Sequence, residues 1–222
     1  MTPILSKTPA KSTLPAPLSG ISRRKAIALA ALAIGGLAWL ARPKAAVRNS
    51  PARGNSIAMI GDSMTRGAGA SKGRALPDLL AERLGAPVAN YGEDGDTTED
   101  ALRRLPYILA HSPDVAIVFL GRNDRLRSRS LEETERDLGE IARRCVESGA
   151  LTVLVGFSAV PGDGYASMYK RLARRHGCLL VPGALDGILF NPRFKDDPIH
   201  PNDAGYALIA ERIAIRLRPH LR

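Results

Sequence analysis

The chain has 222 residues and a formal net charge of +10, from 32 basic and 22 acidic side chains. Residues 1–53 hold nine of the basic residues and no acidic one, which leaves 23 basic residues against 22 acidic ones in the rest of the chain. A nucleic-acid-binding domain needs its basic residues clustered on its own folded surface. This distribution therefore argues against nucleic-acid binding, and the length predicts one domain behind a basic leader.

Residues 1–41 are typical of an export signal. Two adjacent arginines, Arg23 and Arg24, precede an apolar run at 26–41 that is rich in alanine. The run is shorter than the roughly 20 residues of a membrane span, and the paired arginines resemble a twin-arginine signal. The protein is then periplasmic or secreted. Because no good cleavage site follows the run, an uncleaved segment that tethers the domain to the inner membrane stays open as an alternative.

Residues 42–55 are rich in Pro, Arg, Ala and Ser and have no periodicity, which predicts a linker before a domain at 56–222. Within the domain, short apolar runs alternate with helical patterns. In chain order they are strand 56–60, helix 76–84, strand 87–91, helix 98–110, strand 115–120, helix 131–148, strand 151–157, helix 165–176, strand 178–181 and helix 204–217. This alternation predicts an α/β fold with a five-stranded parallel sheet and helices on both faces.

Polar residues follow these strands at the ends where open parallel sheets bind ligands. Ser63 follows the first strand, Gly95 the second and Asn123 the third. Asp197 and His200 lie between the fifth strand and the last helix. We therefore expect all five residues at one edge of the sheet.

These residue types suit nucleophilic hydrolysis. A serine hydroxyl such as that of Ser63 needs a base within hydrogen-bond reach, and His200 is the candidate. Asp197 can fix the tautomer of that histidine and stabilise its protonated form. The backbone N–H groups of Ser63 and Gly95 and the Asn123 amide can hold an oxyanion, and one such donor is worth roughly 2.7–4 kcal/mol of the barrier. The pattern predicts a serine esterase that works through an acyl-enzyme.

Four segments resemble the signature blocks of the SGNH (GDSL-type) hydrolases: Gly61-Asp62-Ser63, the stretch 90–98 around Gly95, Gly121-Arg122-Asn123-Asp124, and Asp197-Pro198-Ile199-His200-Pro201-Asn202. The resemblance spans residues 56–217 and is closest to the branch of bacterial thioesterase/lysophospholipases and arylesterases. It implies a flavodoxin-like three-layer α/β/α sandwich, small-molecule acyl ester or thioester substrates, and no cofactor. It also implies a catalytic triad of Ser63, Asp197 and His200, and an oxyanion site of Ser63, Gly95 and Asn123.

Several alternatives stay open. An envelope O-acyltransferase or a sugar deacetylase would use the same residues, and a catalytically silent binding domain would share the fold. Gly92 competes with Gly95 for the oxyanion role, although the sequence around Gly95 fits the family better. Ser158 and Asp163 follow the fourth strand but lack a partner pattern.

The stretch after Gly121 departs from the family pattern. Arg122 stands where the related branch often has a small residue, and further arginines follow at 125, 127 and 129. Such a cluster is usually a solvated face. Arg122 is nevertheless a candidate for binding a carboxylate or phosphate of the substrate, unless the acidic residues at 93, 94 and 96 neutralise it.

The remaining polar residues have simpler interpretations. Asp62 and Asp124 are expected to accept hydrogen bonds within their loops. Cys145 and Cys178 lie in apolar patterns and are expected to be buried free thiols. The scattered histidines and the two cysteines lack the spacing of metal ligands, so no metal site is predicted.

Overall fold

The computed structural model describes residues 46–158 and 160–222. The predicted export signal at 1–41 lies outside the described residues, so it stays a prediction. Within the described residues, no helix combines the length and apolar character needed to cross a membrane.

The predicted parallel sheet of five strands is confirmed. Its strands are β1 (Ile57–Gly61), β2 (Val88–Gly92), β3 (Val115–Phe119), β4 (Leu151–Val155) and β5 (Leu179–Val181), in the order β2-β1-β3-β4-β5. This is the flavodoxin-like order. Every residue of β1, β3 and β4 is buried, because helices cover both faces of the sheet, whereas the edge strand β2 is partly exposed.

The helices of the described residues are α1 (Ser63–Arg66), α2 (Leu76–Leu84), α3 (Thr98–Leu109), α4 (Arg122–Leu126), α5 (Leu131–Glu147), α6 (Tyr165–His176) and α7 (Asp203–Leu217), with short 3-10 helices at Pro192–Phe194 and Arg218–His220. Helix α2 packs against α7, and α5 packs against both α3 and α6. Right-handed crossovers place these two groups on opposite faces of the sheet, which gives the three-layer sandwich.

Capping side chains at two helix N-termini fix the loops that lead into those helices. Thr97 caps α3 by accepting a hydrogen bond from the Asp100 N–H, and the Asp100 carboxylate accepts one from the Thr97 N–H in return. Asn202 caps α7 by accepting from the Gly205 N–H. Such caps satisfy backbone donors that the first helical turn leaves free. They fix the loop after β2 and the loop before α7, which carry two of the predicted site segments.

Residues 46–55 correct the predicted linker. They form no helix or strand, yet they are bound to the domain. The Asn49 side chain donates to the carbonyls of Val146 (2.8 Å) and Ala150 (2.9 Å). Ala52 is fully buried, and its N–H bonds the His220 carbonyl at 2.8 Å. The folded domain therefore begins before Ser56, because an irregular segment can be fixed by hydrogen bonds that composition does not reveal.

Candidate active site

Ser63 lies at a tight turn between β1 and α1. Asp62 is the N-cap of α1, and its Oδ1 accepts a hydrogen bond from the Met64 N–H at 2.9 Å. The turn leaves no room at Gly61, where a Cβ would come within 1.9 Å of the Thr65 hydroxyl oxygen. The half-buried Ser63 hydroxyl is thereby held at the carboxyl end of β1.

His200 lies directly beside this hydroxyl. The Ser63 Oγ and His200 Nε2 atoms are 3.0 Å apart, although the two residues are 137 positions apart in the sequence. The other ring nitrogen, Nδ1, is 2.7 Å from Asp197 Oδ2. The structure therefore brings together serine, imidazole and carboxylate in a continuous chain of hydrogen bonds, with the imidazole between the other two.

Asp197 is fixed by its own loop. Its Oδ1 accepts hydrogen bonds from the N–H groups of Ile199 and His200, each at 2.7 Å. The hydrogen bond from the His200 side chain, together with these backbone donors, lowers the pKa of Asp197 to about 2. The carboxylate is therefore ionised at neutral pH and can hold the imidazole with its proton on Nδ1.

The Asn123 amide lies between the loop of Gly95 and the turn of Ser63. Its Nδ2 donates to the Asp96 carbonyl at 3.0 Å and makes a longer contact of 3.4 Å to Asp62 Oδ2. Within the described residues, the N–H groups of Ser63 and Gly95 donate no hydrogen bond. The three predicted oxyanion donors thus come from loops that meet at the end of β1.

The structure distinguishes the two glycines that compete for the oxyanion role. Gly92 ends β2, and a Cβ there would lie 2.2 Å from the Arg66 backbone nitrogen. Close packing against α1 therefore accounts for a glycine at position 92. Gly95 has a φ of +77°, which residues with a side chain rarely adopt. It directly precedes Asp96, whose carbonyl accepts a hydrogen bond from the Asn123 amide. This geometry favours Gly95.

Asp62 and Asp124 are structural, as predicted. Burial raises the pKa of Asp62 to about 6, while the Met64 N–H and the positive charge of Arg122 oppose that rise. Asp124 is fully buried and accepts hydrogen bonds from the Thr98 hydroxyl at 2.6 Å and the Thr98 N–H at 2.9 Å. It ties α4, which carries Asn123, to the start of α3.

Arg104 is a site residue that the sequence did not reveal. It lies on α3, and its Nε donates to Asp96 Oδ2 at 2.7 Å. Its Nη2 donates to the carbonyls of Gly61 at 3.0 Å and Tyr91 at 2.8 Å. In the sequence it is one of several polar residues of an amphipathic helix, so no motif marks it.

A small cavity is lined in part by residues next to the site in sequence, Arg122 beside Asn123 and Pro198 beside Asp197. It has a volume of about 140 Å³ and is lined by Arg122, Arg125, Leu126, Phe157, Ser158, Leu185, Leu189, Phe190 and Pro198. Most of these side chains are apolar. The Ser158 hydroxyl bonds the Val160 carbonyl at 3.0 Å and Asp163 at 3.2 Å, so it does not reproduce the serine–histidine contact of Ser63. The lining residues at 185–190 were missed because they follow β5 in a stretch without a motif.

Two further predictions concern thiols and metals. Cys145 and Cys178 are buried and unpaired, as predicted, and burial raises the pKa of each to about 12. Across residues 46–158 and 160–222, no group of His, Cys, Asp and Glu side chains is arranged to hold a metal ion.

A flavodoxin-like sheet with a serine–histidine pair at its carboxyl edge defines a class, the SGNH-type hydrolases. The chain belongs to the GDSL-like lipase/acylhydrolase family, whose model matches residues 59–208. It is 29% identical over 178 residues to thioesterase 1/protease 1/lysophospholipase L1 of Escherichia coli K12, covering 76% of this chain and 86% of that protein. It is 31% identical to an arylesterase of Vibrio mimicus, covering 74% of this chain and 89% of that protein.

Solved structures agree with this assignment. The crystal structure of TesA superposes with a TM-score of 0.70 at 29% identity, covering 74% of this chain and 99% of that one. The structure of AlinE4, an SGNH-hydrolase family esterase, gives a TM-score of 0.61 at 30% identity, covering 73% of this chain and 94% of that one. The resemblance inferred from the sequence is confirmed, and the protein is a carboxylic ester hydrolase.

Proposed function

We propose that the protein hydrolyses small-molecule carboxylic esters or thioesters by a Ser63–His200–Asp197 triad and an acyl-enzyme. The observation that carries this proposal is the 3.0 Å contact between Ser63 Oγ and His200 Nε2, with Asp197 on the opposite ring nitrogen. A base at that distance can take the serine proton as the hydroxyl attacks. The names of the relatives, thioesterase, lysophospholipase and arylesterase, support acyl esters and thioesters as the substrate class.

The reaction then has two halves. The Ser63 oxygen bonds to the acyl carbon while His200 Nε2 accepts its proton, and the leaving alcohol or thiol takes that proton from His200. A water molecule next gives a proton to His200 and attacks the acyl carbon, and Ser63 recovers its proton as the acid departs. Asp197 stays ionised throughout and stabilises the imidazolium.

The oxyanion of each tetrahedral intermediate is held by the N–H groups of Ser63 and Gly95 and by the Asn123 amide. Both Asn123 Nδ2 contacts in the free protein are internal, at 3.0 Å to the Asp96 carbonyl and 3.4 Å to Asp62. The longer contact is the weaker one. The N–H that points towards Asp62 is therefore the one that turns to the oxyanion, while the bond to Asp96 keeps the amide in place.

A fluorophosphonate probe and chromogenic esters test the proposal. The wild-type protein should label with the probe and hydrolyse p-nitrophenyl esters or an acyl-CoA. Ser63→Ala should lose both activities and keep its melting temperature, because only one hydroxyl is removed. Ser158→Ala is the matched control and should label like the wild type. Labelling that persists in Ser63→Ala would refute the assignment of the nucleophile.

We also propose that residues 1–41 direct the domain out of the cytoplasm, to the periplasm or beyond, or tether it to the inner membrane. Support comes from the paired arginines followed by an apolar run.

A further inference from the structure

The four arginines after Gly121 differ in what their side chains bind. Arg125 lies 3.8 Å from the Asp163 carboxylate. Arg127 donates to the Gly95 carbonyl at 2.8 Å. Arg129 binds several carboxylates, among them Asp137 at 2.6 Å. Arg127 also lies 3.9 Å from Asp100, so each of these three arginines has a carboxylate partner within the fold. Arg125 and Arg127 are solvated, whereas Arg129 is largely buried.

Arg122 is different, because among the described residues its side chain has no hydrogen-bond or ion-pair partner although it is half-buried. The acidic residues that could have neutralised it are engaged elsewhere. Glu93 and Asp94 lie 3.6 and 3.4 Å from Arg66, and Asp96 binds Arg104. A guanidinium offers five N–H donors, and among the described residues no acceptor binds those of Arg122. The protein therefore keeps a cation without a protein partner at this position.

Two carboxylates near Arg122 do not satisfy these donors. Asp62 and Asp197 attract the Arg122 charge through space. Their oxygens, however, have other donors. Asp62 Oδ1 accepts from the Met64 N–H and Oδ2 is contacted by the Asn123 amide, while both oxygens of Asp197 accept hydrogen bonds from the His200 loop. Arg122 thus contributes positive potential beside the triad, while its donors stay free for a ligand.

The position of Arg122 indicates what that ligand is. Arg122 directly precedes Asn123, and it lines the 140 Å³ cavity together with Pro198 of the His200 loop. Phe157, Leu185 and Leu189 supply apolar walls, and Phe190, 80% exposed, extends them to the surface. An apolar cavity that holds one unpaired guanidinium suits a molecule with an apolar body and one anionic group.

We propose that Arg122 binds a carboxylate or phosphate group of the ester substrate, whose apolar part occupies this cavity. The inference rests on the proposed ester hydrolysis and adds a substrate class to it. The planar guanidinium can bind either oxyanion through two parallel hydrogen bonds. Arg122 is then a specificity-determining residue rather than part of the scaffold.

Matched substrates test this role. The p-nitrophenyl monoester of adipic acid carries a carboxylate where the p-nitrophenyl ester of hexanoic acid has a methyl group. The p-nitrophenyl ester of phosphorylated 5-hydroxypentanoic acid carries a phosphate at that position. The wild-type kcat/KM should be higher for at least one anionic ester than for the neutral one. Arg122→Gln should raise KM for that ester about tenfold or more, which corresponds to about 1.4 kcal/mol, and leave the neutral ester within about twofold.

Two further variants separate charge from geometry and from general effects. Arg122→Lys keeps the charge but loses the paired hydrogen bonds, so it should recover part of the anionic preference. Arg143→Gln removes an exposed arginine of α5 that pairs with Glu140 and Glu147, and it should change KM for neither the neutral nor the anionic ester. The comparison of the two anionic esters decides between carboxylate and phosphate.

The outcomes that overturn the inference differ from those that overturn the proposed function. Equal losses on neutral and anionic esters in Arg122→Gln would show that the arginine only supports the triad. Wild-type protein that hydrolyses the neutral ester but neither anionic one better would also refute the inference. Failure to hydrolyse any of the esters, or to label with a fluorophosphonate, would instead refute the proposed function.

Discussion

Arg104 holds the Asp96 carboxylate through a hydrogen bond of 2.7 Å and binds the carbonyls of Gly61 and Tyr91 with the same guanidinium. One side chain therefore joins the ends of β1 and β2 to the loop that carries Gly95. The Asp96 carbonyl in turn accepts the Asn123 amide at 3.0 Å. Two of the proposed oxyanion donors are thus positioned, directly or through Asp96, by an arginine on a neighbouring helix.

Arg104→Met should lower kcat for neutral p-nitrophenyl esters by about tenfold or more, with a smaller change in KM. The reason is that loosened donors stabilise the transition state less, and each tenfold loss is about 1.4 kcal/mol of barrier. Arg104→Lys keeps the positive charge but loses the planar set of donors that reaches all three acceptors, so its kcat should lie between those of Arg104→Met and the wild type. The urea midpoint of each variant is the control for folding. An unchanged kcat in a folded Arg104→Met variant would contradict the positioning role.

The triad predicts a graded loss on substitution. His200→Ala should reduce kcat on the order of 10⁶-fold, and Asp197→Ala on the order of 10⁴-fold, because the aspartate acts only through the histidine. Steady-state kinetics on one chromogenic ester give both numbers. Similar, small losses in the two variants would mean that another group serves as the base.

The lowered pKa of Asp197 predicts that the protein loses stability in acid. Its pKa is lowered in the folded protein, to about 2, so its contribution to stability is present above the unfolded value of about 3.9 and is lost as pH falls towards 2. The difference in free energy of unfolding between wild type and Asp197→Asn, measured by urea titration from pH 2 to pH 6, should shrink at the acid end. A difference that does not vary with pH would contradict this account.

The raised pKa of Asp62 predicts the opposite dependence of the free energy of unfolding on pH. Burial raises its pKa to about 6, so between about pH 4 and pH 6 the folded state binds a proton that the unfolded state has lost. Stability from this group is therefore greatest below pH 4 and falls as pH rises to 6, by about 3 kcal/mol for a shift of about two pH units. Asp62→Asn should remove that slope. The two proteins are compared by the slope of the free energy of unfolding against pH. The absolute value is less useful, because the new amide of Asp62→Asn also faces Asn123 and changes the stability at every pH.

The leader can be tested separately from the enzyme. Residues 1–50 fused to a reporter that folds before export should carry it to the periplasm, and the paired change Arg23→Lys with Arg24→Lys should block that transport. Export that continues in the double variant would indicate the general secretory route. N-terminal sequencing of the mature protein then distinguishes a cleaved signal from an intact anchor.

Much of the fold could be read from periodicity. The helices α2 and α6 have the predicted bounds. The other predicted elements differ by one or two residues, at both ends for β1 and β2 and at one end for the rest. Continuous apolar runs predict strands that are covered on both faces, and the polar residues after them mark the carboxyl edge. The contact of Ser63 with His200 followed from that logic, since parallel strands end at one edge.

Other features could not be predicted for identifiable reasons. Helices α1 and α4 have four and five residues, which is too short for an apolar period to develop. The role of Arg104 depends on three acceptors far apart in the sequence. The difference between Arg122 and the arginine at 125 depends on which acids each one reaches, and only coordinates provide that information.

Residues 46–55 join the domain at the edge of the sheet opposite its proposed active site. Asn49 binds carbonyls just before β4, and Ser56 binds Asp114 just before β3, so this segment runs along the amino edge of the sheet. Ser63 lies at the carboxyl edge, one strand length away, which for the five residues of β1 is about 17 Å. A fusion partner joined at residue 46 would thus be attached on the side of the sheet away from Ser63.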